Sequence, residues 1–413
     1  MNLYIDPGTG SMLFTILIGV LGALAYVLRN VFVKARFFLS GGKRVKEEHE
    51  YPYVIFTDSK RYWNIFKPIC DEMEKRGQKV LYLTASEDDP ALECSYKHIR
   101  TEFAGHGNQA FARMNMIRAD IVLSSTPSLD VYQWKRSRDV KWYVHIPHGI
   151  YDLSLYRMYG LDFYDAVLMT GPFQTDAIRK LETIRNWTRK ELKVVGMPYM
   201  DTMLARVRNE KKAEDGIPTV LLAPTWGPSS LLNRYGGEMI DALLKTEYRI
   251  IIRPHPQSFE SEKEMIERLM NQYPDNDRME WDRKTDNYDS LRKASVLISD
   301  FSGVIFDFAF VFEKPVIYAD TSFDPGPYDA SWLENEPVWI FSTLERIGLQ
   351  LKPENVGRIG DLIEEAIHSE RLRAGREEAK AESWSYIGHS AEHVADYLME
   401  ARERITREGE NRG

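Results

Sequence analysis

The sequence predicts an α/β protein: two doubly wound, Rossmann-like domains that face each other across a cleft, preceded by one N-terminal transmembrane helix. Three observations lead to this fold class. Residues 7–28 are uncharged and largely apolar, short β-rich runs alternate with polar segments of helical length, and a charged stretch interrupts that alternation near the middle. A chain of 413 residues is long enough for about two domains of ordinary size.

The apolar run at residues 7–28 has the length that a helix needs to cross the hydrocarbon core of a bilayer, roughly 20 residues. Asp6 is the only charged side chain before it, whereas Arg29 and Lys34 begin a basic segment behind it. This asymmetry predicts that the rest of the chain lies in the cytoplasm. A cleaved signal peptide is the main alternative, but it carries its positive charge ahead of the apolar run. We therefore expect a membrane anchor and a basic juxtamembrane segment in residues 1–50.

Short runs rich in β-branched and aromatic residues follow the basic segment. Polar stretches of helical length separate them, and this pattern predicts βαβ units around a parallel sheet. We expect the first Rossmann-like domain to span residues 51–205. Its predicted strands are YVIFT (53–57), KVLYLT (79–84), DIVLSS (120–125), KWYVHI (141–146), AVLMTG (166–171) and LKVVGMP (192–198).

A charged stretch of low hydrophobicity, residues 206–217, predicts a linker, because domain boundaries tend to fall in exposed polar segments. The alternation resumes in residues 218–390, which we expect to form the second Rossmann-like domain. Residues 391–413 predict a charged C-terminal tail. The predicted strands of the second domain are TVLLAPTW (219–226), YRIIIRPHP (248–256), SVLISD (295–300), KPVIYAD (314–320) and VWIF (338–341).

Composition argues against some classes of function. Lys and Arg number 54 against 62 Asp and Glu, and the net charge of −8 argues against a general nucleic-acid binder. Cys70 and Cys94 have no metal-ligand spacing, so neither a disulfide framework nor a structural zinc site is predicted. The acidic pair in Asp275-Asn276-Asp277 is typical of a turn. We expect no bound metal and no cofactor.

The stretch VLISDFSGVIFDFAF changes from a buried strand to an apolar helix through a small polar turn. Ser299 and Ser302 offer hydroxyl donors, Gly303 permits close approach of the backbone, and the start of a helix favours negative charge. The turn therefore predicts a phosphate site. A plain helix N-cap is an equally good interpretation of the turn taken alone. Asp300 fits a phosphate site only with its carboxylate turned onto backbone N–H groups.

Two further predicted strands of the second half end in polar groups. In RPHP, two prolines stiffen the loop around His255, and Arg253 offers planar donors that neutralise a phosphate. In APTW, Thr225 offers a hydrogen bond and Trp226 an apolar or stacking wall. A loop histidine without a role, and a tryptophan that caps the core, are the alternative interpretations.

In the first half, the segment HIPHG closes a predicted strand. His148, next to Gly149, is the candidate for a general base that substrate can reach, because ligands of open α/β sheets bind beyond the carboxyl ends of strands. A turn histidine is the alternative. Farther along the chain, Asp201 in GMPYMD is expected to cap the helix that follows it.

These motifs, taken in their order along the chain, resemble the CDP-glycerol glycerophosphotransferase family, which contains the teichoic-acid primases and polymerases. The motifs are PHG, GMP..D, APTW, RPHP and SDFSGVIFDF, and the resemblance covers the chain from about Tyr53 to beyond Asp320. It implies a GT-B-like fold and a reaction that moves glycerol phosphate from CDP-glycerol to a hydroxyl and releases CMP. Together with the predicted anchor, it leads us to expect an enzyme of the bacterial cell membrane that uses CDP-glycerol or a related CDP-polyol and a lipid-linked or membrane-borne acceptor.

The same resemblance implies roles for individual residues. His148 is implied as the base in the first, acceptor domain, and His255 is placed near the diphosphate in the second, nucleotide-donor domain. Thr225 and Trp226 are implied to line the donor side. The two serines of the polar turn, Ser299 and Ser302, are implied to bind phosphate.

Two departures from the family pattern concern the acceptor and the donor. After the His-Gly pair the polymerases typically have Thr-Pro-Leu-Lys, whereas this chain has Ile150-Tyr151-Asp152-Leu153. The basic residue that usually follows the APTW tryptophan is here Gly227. Two other functions stay open. One is a GT-B glycosyltransferase or nucleotide-sugar epimerase that holds a UDP diphosphate at the same turn, and the other is an inactive, membrane-tethered nucleotide-binding module.

Overall fold

The structure is a computed structural model that describes most of the chain beyond the basic segment. In the part that it describes, no helix is long and apolar enough to cross a membrane. The predicted transmembrane run at residues 7–28 and most of the predicted linker lie outside the described residues. Those described are 51–210, 218–284, 286–300, 302–319, 324–333 and 338–411, with side chains through residue 409.

Seven parallel strands form the first sheet. They are β1 (Tyr53–Thr57), β2 (Val80–Thr84), β3 (Ile99–Phe103), β4 (Ala119–Ser124), β5 (Val140–His145), β6 (Ala166–Met169) and β7 (Glu191–Val194). Their order across the sheet is β3-β2-β1-β4-β5-β6-β7. The six strands predicted for the first half are confirmed. They were predictable because a parallel sheet buried on both faces requires continuous apolar runs. The seventh, β3 (IRTEF), lies at an edge, and its polar residues conceal it in the sequence.

Six parallel strands form the second sheet. They are β8 (Thr219–Leu222), β9 (Arg249–Ile252), β10 (Met279–Trp281), β11 (Val296–Ser299), β12 (Val316–Ala319) and β13 (Gly348–Leu351). Their order is β10-β9-β8-β11-β12-β13, so the two strands that were not predicted, β10 and β13, are again edge strands. The predicted strand at residues 338–341 is wrong. Trp339–Ile347 is a helix that buries Ile340, Leu344 and Ile347, and a short apolar run does not by itself distinguish a strand from a buried helix.

Helices cover both sheets, and most of them bury one apolar side. In the first of them, residues spaced three and four apart face the sheet. The helices are α1 (Trp63–Lys75), α2 (Asn108–Met114), α3 (Thr175–Ile184), α4 (Pro198–Asn209), α5 (Leu231–Arg234), α6 (Gly236–Leu244), α7 (Ser258–Ser261), α8 (Lys263–Gln272), α9 (Tyr288–Lys293), α10 (Val304–Phe306), α11 (Trp339–Ile347), α12 (Ile359–His368), α13 (Glu370–Ser383) and α14 (Ser390–Asn411). A π-helical segment, Asp307–Val311, continues α10, and shorter 3-10 turns occur at Lys60–Tyr62, Pro90–Glu93, Leu153–Leu155, Pro172–Gln174, Asp329–Trp332 and Pro353–Arg358.

The residues predicted as a charged tail, 391–413, form most of α14, which packs against the first sheet. The indole N–H of Trp142 donates to the hydroxyl of Tyr397 at 3.2 Å, and Arg402 pairs with Asp120 at 2.9 Å. The buried stripe of α14 consists of Val394, Ala395, Tyr397, Leu398 and Ala401. The last helix therefore returns to the first half of the chain.

The two halves lie in one unit, residues 50–413, and buried carboxylates join them. Asp152 of the first half accepts a hydrogen bond from the backbone N–H of Ile340 at 2.8 Å. Asp307 of the second half accepts a hydrogen bond from the hydroxyl of Tyr199. Burial raises the pKa of Asp152 to about 6 and the pKa of Asp307 to about 7. One cluster of buried apolar side chains also continues from the first sheet into the second.

Chain order reverses at one point within each sheet, between β1 and β4 in the first and between β8 and β11 in the second. Connections on either side of such a point leave in opposite directions and open a crevice beyond the carboxyl ends of the strands. The loops after β1 and β4, and those after β8 and β11, are therefore the places where ligands are expected.

Candidate active site

The crevice of the second sheet is built around the buried carboxylate of Asp300, which follows β11. Its oxygens accept the backbone N–H of Thr225 at 2.9 and 3.1 Å and the N–H of Leu231 at 3.2 Å. The carboxylate is thus turned onto backbone N–H groups, as a phosphate site at this turn requires, but the groups belong to the APTW loop after β8 and to the start of α5. This arrangement fixes the loop, presents half-buried Thr225 and leaves the indole of Trp226 49% exposed.

The two serines of the polar turn have different surroundings. Ser299 is fully buried and donates its hydroxyl to the carbonyl of Ala223 at 2.6 Å, so it joins β11 to the loop after β8. The expectation that Ser299 binds phosphate therefore does not fit its position. Ser302 is half-buried and Gly303 is exposed, and a methyl group at Gly303 would meet no atom within 4 Å. Ser302 and Gly303 are the groups that a ligand can reach.

Gly227 follows Trp226 and has a φ of +96°, a left-handed conformation that side chains other than glycine rarely adopt. Its N–H donates to a carboxylate oxygen of Glu262 at 3.0 Å. The space around it is open, so the backbone angle is what favours glycine at this position. Gly227, at the position of the family's basic residue, therefore serves the turn of the loop.

Arg253 is not placed as predicted. Its guanidinium pairs with Asp282 at 2.5 Å and donates to the carbonyl of Lys284 at 2.8 Å, and its side chain is only 11% exposed. These contacts tie the end of β9 to the end of β10. Arg253 therefore supports the loop that carries His255 instead of facing a phosphate.

His255 is half-buried at the end of β9, and its Nδ1 accepts the backbone N–H of Gln257 at 3.1 Å. Burial, followed by the positive charge of Arg61, lowers its pKa, so the ring is neutral near pH 7. A neutral imidazole whose Nδ1 accepts carries its proton on Nε2. His255 therefore presents an N–H donor, which suits a phosphate oxygen.

His148 lies beyond the end of β5, and its Nδ1 is 3.0 Å from the hydroxyl of Tyr151. That hydroxyl lies 2.5 Å from the hydroxyl of Tyr156, which in turn lies 2.8 Å from Nε2 of His145. Burial, followed by the charge of Arg61, lowers the pKa of His148 to about 4. His148 is thus a neutral, half-buried imidazole at the end of a chain of hydrogen bonds.

Gly149 contributes through its size. A methyl group on Gly149 would lie 3.2 and 3.3 Å from two ring carbons of Tyr151. Glycine therefore leaves room for the phenol that contacts His148.

Arg61 is a site residue that was not predicted. It lies in the 3-10 turn after β1, where its Nε donates to the hydroxyl of Ser59 at 3.2 Å. In the part of the chain that the structure describes, Arg61 forms no ion pair. Its charge lowers the pKa of both His148 and His255, so one guanidinium influences the histidines of both sheets. A basic residue just after a strand at the reversal point was the signal that could have identified it, and Asp58 is the carboxylate at the same strand end.

Asp201 does not cap its own helix. It lies in the first turn of α4, and its carboxylate accepts the backbone N–H groups of Gly388 and Ser390, each at 2.8 Å. It therefore caps the start of α14. Gly196 has a φ of +87°, and a methyl group there would lie 2.3 Å from the carbonyl of Ser385. The GMP..D motif thus joins the C-terminal helix to the first half and lies apart from the crevices.

Among the described residues, no group of three or more His, Cys, Asp or Glu side chains is placed to hold a metal ion. In the acidic stretch after α8, Asp275 accepts the backbone N–H of Trp281 at 2.7 Å, as a turn residue does.

The family model for CDP-glycerol:poly(glycerophosphate) glycerophosphotransferases matches residues 66–331, which is more than half of the chain. The chain belongs to this family. The resemblance seen in the motifs is therefore confirmed, and the protein is a transferase of the glycerophosphotransferase type. A search of curated proteins found no match.

Solved structures share the fold of this glycerophosphotransferase. A histidine-to-alanine variant of the wall teichoic acid polymerase TagF is 14% identical, with 94% of this chain and 98% of that chain covered and a TM-score of 0.56. A histidine-to-asparagine TagF variant soaked with CDPG is 13% identical, with the same coverage and a TM-score of 0.52. The UDP-GlcNAc 2-epimerase of Methanocaldococcus jannaschii, in complex with UDP-GlcNAc and UDP, is 14% identical over 84% of this chain and 99% of that chain, with a TM-score of 0.54. These likenesses confirm the GT-B-like fold.

Proposed function

We propose that this glycerophosphotransferase moves glycerol phosphate, or a related polyol phosphate, from a CDP-activated donor to a hydroxyl of a lipid-linked or membrane-borne acceptor. CMP is the product that leaves. The observation that carries the proposal is the presence of one histidine beyond each sheet, His148 and His255, both under the influence of the charge of Arg61. Family membership supports the choice of donor.

In the proposed reaction, the acceptor oxygen attacks the phosphorus that carries glycerol, and the bond from that phosphorus to the CMP oxygen breaks. The acceptor proton passes to Nε2 of His148, the ring nitrogen not held by Tyr151. A neutral imidazole with a low pKa is unprotonated at pH 7 and can act as this base at once.

The donor is held by the second half. His255 donates its Nε2–H to the diphosphate, and Arg61 offsets negative charge as CMP leaves. Ser302 and Gly303 bring a hydroxyl and an open stretch of backbone to the same diphosphate, while Thr225 and Trp226 lie on the nucleotide side. Buried Asp300 holds the APTW loop in position for this task.

The uncharged run at residues 7–28 and the basic segment after it support a single membrane anchor with the catalytic part in the bacterial cytoplasm. An anchor of this kind holds the enzyme beside a lipid-linked acceptor during synthesis of an envelope polymer. Carbonate extraction of membranes from cells that make the full chain tests the anchor. We expect the protein to stay in the pellet, and its release into the wash would contradict a membrane span.

The fold likeness to a UDP-GlcNAc 2-epimerase complex keeps a uridine-nucleotide enzyme as the second candidate. Thermal unfolding with CDP-glycerol, CDP, UDP and UDP-GlcNAc separates the two. A ligand at about 100 times its Kd stabilises the folded state by about 2.7 kcal/mol, so cytidine nucleotides are expected to raise the Tm more than uridine nucleotides.

Turnover is tested by incubating the full chain with a panel of CDP-alcohols and a membrane-lipid acceptor. We expect CMP release with CDP-glycerol or another member of the panel. Cytidine binding without CMP release from any of them would indicate an inactive nucleotide-binding module. A preference for uridine nucleotides would favour the epimerase or glycosyltransferase alternative.

A further inference from the structure

A line of four groups leads inward from the crevice: His148, Tyr151, Tyr156 and His145. Successive polar atoms are 3.0, 2.5 and 2.8 Å apart, all within hydrogen-bond distance. His145 is fully buried, Tyr156 is 6% exposed, and the line ends there because Nδ1 of His145 has no oxygen or nitrogen partner among the described residues. The rings of Tyr156 and Tyr164 pack against His145 edge to face, at 5.2 and 5.0 Å between centroids.

All four groups are neutral near pH 7. Burial lowers the pKa of His145 to about 3 and is the main cause that lowers the pKa of His148 to about 4. Burial also raises the pKa of the phenols of Tyr151 and Tyr156. A neutral phenol has one proton to donate, so the protons along the line can point only inward or only outward.

The two directions give His148 opposite chemistry. With the protons pointing inward, Nδ1–H of His148 donates to Tyr151, Tyr151 donates to Tyr156, and Tyr156 donates to Nε2 of His145. The Nε2 of His148 is then a lone pair and can accept a proton. With the protons pointing outward, Tyr151 donates to Nδ1, and Nε2 of His148 carries hydrogen and cannot act as a base.

The inward direction agrees with the surroundings of Tyr151. The backbone N–H of His148 also points at the Tyr151 oxygen, at 3.5 Å, so donors meet this oxygen on the His148 side. Its own proton is best directed to Tyr156, 2.5 Å away. At the inner end, Nδ1–H of His145 lies among aromatic rings, which accept an N–H weakly through their faces.

We propose that Tyr151 and Tyr156 are positioning residues that hold His148 with its proton on Nδ1 and so keep Nε2 free as the base. The proposal rests on the proposed function for the use of that base, but the tautomer exists without substrate.

The line of hydrogen bonds determines which nitrogen of His148 carries hydrogen, and it does not take up an additional proton. A proton taken from the acceptor stays on His148, because a second proton on buried His145 would place a positive charge among aromatic rings. Breaking the line therefore removes orientation and leaves substrate binding intact.

The tautomer is read by long-range proton–nitrogen NMR of the full chain in detergent micelles at pH 7.5, with histidine labelled by nitrogen-15. The His148 signal is assigned by its loss in His148→Gln. We expect a protonated Nδ1 and a bare Nε2 in the wild-type protein. In Tyr151→Phe we expect the proton to move to Nε2, the form that free histidine prefers.

Tyr62→Phe is the matched control. The Tyr62 ring lies 5.0 Å from the His148 ring, as the Tyr151 ring does, but its hydroxyl is not part of the line. The control is expected to keep the wild-type tautomer. A protonated Nε2 in the wild-type protein, or the same tautomer in wild type and Tyr151→Phe, would overturn the proposal.

Kinetics provide a second readout. Removing a group that orients a catalytic residue costs about 10-fold to 100-fold in activity, so we expect Tyr151→Phe to lower kcat by that factor and to change the donor KM less than 2-fold. If Tyr151→Phe does not fold, Tyr156→Phe breaks the line one step farther in and is expected to shift the tautomer in the same direction. The expected NMR result without CMP release from any CDP-alcohol would refute only the proposed function.

Discussion

His148 and His255 each lie beyond a strand end of their own sheet, after β5 and β9, yet they are held by different means. Nδ1 of His255 accepts a backbone N–H at 3.1 Å, which leaves a single neutral tautomer with hydrogen on Nε2. Nδ1 of His148 meets a phenol at 3.0 Å, and a phenol donates or accepts. The backbone therefore fixes the tautomer of His255, whereas we infer that a line of side chains sets the tautomer of His148.

The same contrast extends to the surrounding loops. In the second half, buried Asp300 and Ser299 hold the APTW loop through backbone N–H and carbonyl groups. In the first half, Tyr151 and Tyr156 pack around His148, and Gly149 leaves room for Tyr151. We therefore expect substitutions in the first half to act on chemistry and those in the second half to act on donor binding and loop stability.

The largest effect is expected for His148→Ala. Removing the base should lower kcat by about 100-fold to 10,000-fold and leave the Kd for CDP-glycerol within about 3-fold, because the donor is held by the other half. Turnover assays measure kcat, and isothermal titration calorimetry measures the Kd for CDP-glycerol. Asp58→Asn, at the end of β1, is the control for the base. A loss of kcat of that size in Asp58→Asn, with little loss in His148→Ala, would transfer the base role to Asp58.

Asp300→Ala is expected to have the next largest effect. It leaves the N–H groups of Thr225 and Leu231 without their charged acceptor, which should cost about 2–4 kcal/mol of unfolding free energy and weaken CDP-glycerol binding. Chemical denaturation and titration measure these changes. Asp275→Ala is the matched control, since Asp275 also accepts a backbone N–H but is exposed and lies beside the edge strand β10, and its loss should cost about 1 kcal/mol or less. Equal stability of the two variants would contradict the role of Asp300.

Central strands were predictable because runs such as YVIFT and VLIS are apolar throughout, as strands buried on both faces must be. The edge strands β3, β10 and β13 were not predictable, because they are short or polar and their sequences resemble loops. The strand predicted at residues 338–341 is instead the start of the helix Trp339–Ile347. The short run VWIF, which begins one residue before the helix, shows no helical period.

Site loops were predictable from polar residues at strand ends, but the partners of those residues were not. Arg253 is paired with Asp282, 29 positions later, which directly follows a strand too short to be predicted. The hydroxyl of Ser299 donates to the carbonyl of Ala223, which follows the neighbouring strand β8, so the contact depends on strand order. Nothing in the spacing of Tyr151 and Tyr156 indicates that they meet.

The two serines of the polar turn give a smaller and more selective pair of effects. Ser302→Ala removes a hydroxyl that a phosphate can reach, so donor kcat/KM should fall about 10-fold to 150-fold with an unchanged Tm, because a hydrogen bond to a charged group is worth about 1.5–3 kcal/mol. Ser299→Ala removes a buried bond to Ala223 and should instead lower stability by about 1 kcal/mol, with near-normal kinetics. A destabilised Ser302→Ala with wild-type kcat/KM would make that residue a helix cap only.

The smallest expected effect is that of mild acid on the rate. Burial, and next the charge of Arg61, disfavours protonated His148, so its pKa of about 4 leaves the base unprotonated well below neutrality. Between pH 8 and pH 5.5, kcat/KM should therefore change less than about 2-fold, whereas an ordinary histidine would lose about 10-fold. Arg61→Gln should move the acidic limb to higher pH. A 10-fold loss in the wild-type enzyme by pH 5.5 would contradict the neutral state of half-buried His148.

Whether His148 and His255 act on one CDP-activated donor is tested most directly by mass spectrometry of the acceptor after reaction with CDP-glycerol, with CMP measured in the same samples. We expect the wild-type acceptor to gain glycerophosphate units with one CMP formed for each, and both products to be strongly reduced in His148→Ala and in His255→Ala. An unmodified acceptor and no CMP with every member of a CDP-alcohol panel, or undiminished products in either variant, would contradict it.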